Sequence, residues 1–154
     1  AHLKELEGIK QQVEELGGQL VAISAQTPAK TAQTQEKFAI TFPVLSDKNM
    51  RVTKAYGVDW PIPKEDRKDF AAWLDKSTGQ SLNEFQNVSG QHVSGQHASG
   101  QEEESEFTLP VPATYVIAPS GEIVYAHVDE DYKKRARPEK ILKSLDALKK
   151  SNNL

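Results

Sequence analysis

The chain has 154 residues, 37% hydrophobic and 27% charged, a composition that fits one soluble globular domain with some polar, loop-like sequence. Its net charge of −3 favours neither nucleic acid nor an anionic membrane surface as a partner, and no apolar run approaches the roughly 18 residues of a membrane span. It contains no cysteine, which excludes a disulfide scaffold, a thiolate-bound metal and any thiol chemistry by these residues alone.

The N-terminal residues Ala1-His2-Leu3-Lys4-Glu5 lack the basic-then-apolar layout of a secretory signal and read as the middle of a helix. Leu3, Leu6, Ile9, Val13 and Leu16 recur at spacings of three and four, one face of an amphipathic helix that Gly17-Gly18 should stop. Leu20-Val21-Ala22-Ile23 then reads as a short strand buried on both faces. Thr27-Pro28 supplies a capping hydroxyl and a first-turn proline for a helix reaching about Phe38 or Ala39. A short strand, Phe42-Pro43-Val44-Leu45, comes next. Asp47 should cap a third helix closed by Gly57.

Pro61 and Pro63 break the chain before a weaker helix from about Lys64 to Asp75, with Phe70, Trp73 and Leu74 inward. From Ser77 to Thr108 the periodicity is lost. Val88-Ser89-Gly90-Gln91-His92 repeats as Val93-Ser94-Gly95-Gln96-His97 and, in part, as Ala98-Ser99-Gly100-Gln101, ahead of Glu102, Glu103 and Glu104. By composition this is a disordered insertion, long for a compact domain. Ala113–Ala118 and Glu122–His127, joined by Pro119-Ser120-Gly121, predict a β-hairpin. Pro138 and Glu139 open a last helix with Ile141, Leu142, Leu145 and Leu148 inward. The order is helix, strand, helix, strand, helix, loop, hairpin, helix, an α/β pattern in a single domain.

Four segments in this order resemble the peroxiredoxin-like branch of the thioredoxin-fold superfamily, the alkyl hydroperoxide reductase and thiol-specific antioxidant group. They are Gly18-Gln19-Leu20-Val21-Ala22-Ile23-Ser24, Phe42-Pro43-Val44-Leu45-Ser46-Asp47, Ala55-Tyr56-Gly57-Val58, and Val111-Pro112-Ala113-Thr114-Tyr115-Val116-Ile117 with its hairpin turn. The tail Val128-Asp129-Glu130-Asp131-Tyr132 with Arg135 is similar as well. The resemblance implies a thioredoxin-like three-layer fold with a mixed sheet. It also implies reduction of hydroperoxides or protein disulfides, without a cofactor, by a cysteine at the N-terminus of the first helix, where the helix dipole and free N–H groups lower a thiol's pKa.

Such a cysteine, with the central strand before it, would lie upstream of Ala1, so an N-terminally truncated and inactive chain is expected. Without that strand its two neighbours, Leu20–Ser24 and Ala113–Ala118, should keep open edges. The expected outcomes are marginal stability, direct pairing of the two strands, or self-association. The alternative function is a cysteine-free binding module without turnover. The cytoplasm is the expected compartment, with no nucleic-acid or membrane partner.

The resemblance also implies a substrate wall formed by Val111, Pro112 and Thr114, with Pro112 in the cis form seen in thioredoxin-like disulfide reductases. Many peroxiredoxins have an arginine at that place. From spacing alone, a plain proline at a strand entrance is the better reading of Pro112. No metal site is expected. His92 and His97 sit five residues apart, a spacing that suits neither a helix face nor a strand face, and they lack a third ligand. Asp129, Glu130 and Asp131 lack the glycine and terminal glutamate of a calcium loop and read as a solvated turn. The basic run Lys133, Lys134, Arg135 and Arg137 reads as a solvated face, and His127 as a satisfied or exposed histidine. Ser24, Ser46 and Ser120 have no nucleophile-elbow context, and Trp60 and Trp73 read as packing aromatics.

Overall fold

Glycine at position 17 ends the first helix because the chain must take a left-handed turn there. In the computed structural model, which describes residues 2–78, 108–131 and 133–152, α1 runs His2–Glu15 and Gly17 has φ 82°. The N–H groups of Gly17 and Gly18 donate to the carbonyls of Glu14 and Val13, both at 2.9 Å, the paired bonds of a Schellman cap. The same device closes α2 (Pro28–Lys37) and α3 (Arg51–Ala55). At α2 the left-handed position is not a glycine: Ala39 has φ 50°, while its N–H and that of Ile40 reach Glu36 and Gln35 at 3.0 and 2.9 Å. Gly57 closes α3 at φ 62°.

The chain gathers into two compact units. The first holds residues 1–24, 28–45 and 111–154. Its core forms where α1 and α5 (Pro138–Asn152) meet the hairpin of β5 (Ala113–Ile117) and β6 (Ile123–Val128). Val116, Ala136 and Ile141 are buried there, with Leu6, Ile9, Tyr125 and Leu145 packed against them. Of these, Leu6, Ile9, Ile141 and Leu145 are positions that the helical spacing of α1 and α5 aligned on one face. Gly18 fits a close approach: a Cβ there would lie 3.0 Å from Val13 Cγ1 and 3.3 Å from Leu145 Cδ2. Two polar straps reinforce the unit. Glu7 accepts from the Thr41 N–H at 2.9 Å and the Thr41 hydroxyl at 2.6 Å, and Lys149 donates to the Glu15 carbonyl at 2.9 Å, placing a cation at the C-terminus of α1.

The second unit comprises 25–27 and 46–110. Here β3 (Asp59–Pro61) pairs antiparallel with β4 (Thr108–Pro110), Trp60 opposite Leu109. A short 3-10 turn over Lys64–Asp66 leads into α4 (Arg67–Thr78). Ala25 and Met50 form a small buried cluster. Around them Asp47 organises the entry to α3. Its carboxylate accepts the Val52 N–H at 3.2 Å, and the Thr53 N–H and hydroxyl at 2.9 Å each. The helix therefore starts later than its cap suggests. Met50, in left-handed conformation at φ 54°, stands at the N-cap position, and Asp47 reaches past it to the first-turn donors.

The class is α/β, as expected, but the strands do not form one mixed sheet. Among the described residues there are three two-stranded sheets, β1–β2, β3–β4 and β5–β6, with β1 at Ala22–Ser24 and β2 at Val44–Ser46. Direct pairing of β1 with β5 does not occur. Nor is the first strand buried on both faces: Val21 and Ile23 are 50% and 52% exposed, because among the described residues β1 pairs with β2 alone and its alternate side chains face outward. The strands β3 and β4 were not expected at all. Each is three residues long and contains a proline, so neither carries a two-residue periodicity to read. Of the insertion expected over 77–108, residues 77 and 78 belong to α4 and Thr108 to β4, while residues 79–107, with His92, His97 and the acidic run, lie outside the described residues, as do the side chains of Trp73 and Leu74.

Candidate functional site

The candidate wall lies at the open end of the β5–β6 hairpin, in the first unit. Two bonds tighten the turn between these strands, Gly121 N–H to Ala118 at 2.9 Å and Ala118 N–H to Glu122 at 2.8 Å. From the turn the ladder runs Ile117 to Ile123, then slips by one residue at a bulge, so that Val116 faces Tyr125 and Thr114 faces His127. Ala113 faces Val128, and the Pro112 carbonyl extends the ladder by accepting from the Asp129 N–H at 3.4 Å. Val111, Pro112 and Thr114 are all half-buried. The fold thus brings together Pro112, Thr114, His127 and Asp129 at one end of the hairpin.

No cis peptide bond occurs among the described residues, so Val111–Pro112 is trans and the expectation of a cis-proline is corrected. The physical reason is that trans is the intrinsically favoured isomer by about 0.5–1 kcal/mol. In this isomer Pro112 already serves the ladder through its carbonyl. It sits at a strand entrance, where the missing N–H of proline is tolerated.

His127 is the residue that sequence reasoning misjudged. It is half-buried, and its Nε2 is sealed from solvent without a hydrogen-bond partner, so it is neither satisfied nor freely exposed. Alternation along β6 placed it on the same face as Tyr125, a signal available in the sequence. Its cross-strand partner Thr114 was not readable, because the bulge sets the register. A second imidazole nitrogen, Nε2 of His2 in the first turn of α1, is sealed and unpartnered as well, while His2 Nδ1 lies 3.3 Å from Glu5.

The acidic turn after β6 is held by its own backbone. Asp129 accepts from the Asp131 N–H at 2.9 Å, Asp131 accepts from the Lys133 N–H at 3.0 Å, and Lys134 lies 3.7 Å from Asp129. This is the geometry of successive Asx turns. No group of three or more His, Asp or Glu side chains able to hold a metal occurs among the described residues. Arg135 is exposed, and burial of part of its guanidinium lowers its pKa. Trp60 is exposed on β3. Of the serines, Ser46 donates to the Gln26 carbonyl and Ser120 accepts from the Glu122 N–H, both turn-holding roles. No helix among the described residues is long and apolar enough to cross a membrane.

No curated protein matches the chain. The AhpC/TSA family model matches residues 1–126, which include α1, the β1 and β2 segments, the Asp47 hub and most of the β5–β6 hairpin. With more than half of its length matched in this way, the chain belongs to the AhpC/TSA, peroxiredoxin-like family.

Proposed function

We propose that this chain is the scaffold part of a thiol-dependent reductase of hydroperoxides or protein disulfides, whose reactive cysteine lies outside these 154 residues. The observation that carries the reading is the family match over 1–126 combined with the absence of any thiol. A thiolate is the nucleophile of this chemistry, and nothing in the described residues replaces it. The 154 residues alone are therefore inactive. In the complete protein they form one thioredoxin-like domain, with the 77–108 segment as an insertion into it.

The wall facing the thiolate is formed by Val111, Pro112 and Thr114. It is supported by their half-buried placement at one end of the hairpin. With Pro112 trans, the wall offers the Thr114 side chain and the proline ring rather than a turned-out Val111 backbone. Exposed apolar side chains on short strands, Val21, Ile23 and Leu45 near β1–β2 and Ile117, Ile123, Val124 and Val128 on β5–β6, support self-association of the isolated chain.

The test is the intact mass and free-thiol titre of the protein isolated from its source, followed by hydroperoxide and disulfide turnover on the same sample. One or two titratable thiols with turnover of either substrate class agree with the proposal. Thiols without turnover of either class refute it. A mass matching these residues, with no thiol, makes the protein a binding module instead.

A further inference from the structure

We draw no further inference here: the strongest candidate, the exposed apolar patch of Ile117, Ile123, Val124 and Val128 on the β5–β6 hairpin, carries nothing because nothing in the structure shows what covers it.

Discussion

Replacing Asp47 by alanine tests the reading of the second unit most directly. Asp47 is 7% exposed, and so is Thr53, which donates to it through both its N–H and its hydroxyl. Truncation strands the Thr53 N–H and hydroxyl in a buried setting, where an unsatisfied polar group costs about 1–3 kcal/mol. The Val52 N–H is half-buried and adds less, since water reaches it more readily. Some relaxation is certain, so the expected loss is about 2–4 kcal/mol. Asp47→Asn keeps one acceptor oxygen and should cost about half as much. Burial tends to raise the Asp47 pKa, but hydrogen bonds from Thr53, Val52 and Arg51 together outweigh it and hold the carboxyl below its ordinary value of 3.8.

The sign of the pH dependence follows from that depression. The stabilisation from the charged carboxylate is fully present above the unfolded pKa and is lost as pH falls through the lower folded value. Urea denaturation of the wild type, D47N and D47A between pH 7 and pH 2.5 reads both effects. The gap between wild type and D47N should stay constant down to about pH 4 and then close. A D47A loss below about 0.5 kcal/mol, or a gap that widens on acidification, would refute the hub.

Three further outcomes follow from particular residues. Ala39→Gly should stabilise the chain by about 1 kcal/mol, because φ of 50° is strained for alanine and free for glycine; urea melts at neutral pH check it. Thr31 is 3% exposed with its hydroxyl unpartnered, so Thr31→Val should raise the melting temperature, by about 1 kcal/mol of stability, with a fall counting against the packing described. Sedimentation velocity at rising concentration should show association of the isolated chain, and Ile23→Lys with Val128→Lys should reduce it. A concentration-independent monomer would remove the case for self-association.

Much of the local structure was legible without coordinates because its causes are local. The spacing of Leu6, Ile9 and Val13 fixed the buried face of α1. Thr27-Pro28 opened α2, Gly17 and Gly57 closed their helices, and Pro119-Ser120-Gly121 made the hairpin turn. Asp47 does accept first-turn N–H groups of α3, as a capping side chain should, but the N-cap position itself falls to Met50, whose left-handed conformation no rule for a methionine anticipates. The β3–β4 pairing was hidden because it joins residues about fifty positions apart through three-residue strands with a proline in each.

The sequence by itself determined the α/β class, the helix faces, the four family segments and, through its lack of cysteine, that these residues supply no thiolate. Tertiary structure decided how the strands were shared out and which side chains face one another. The bulge between Val116 and Ile117 is the clearest case: counting back symmetrically from the turn would set Thr114 opposite Ala126, and the one-residue slip sets it opposite His127 instead. A strand alternates its faces every residue, so that single slip decides which side chain of β6 stands beside the candidate wall. Hydrophobic pattern alone could not choose, because Ala126 and His127 both lie in a strand whose periodicity survives the slip. The choice belongs to the packing of Val116 and Tyr125 beneath α1 and α5.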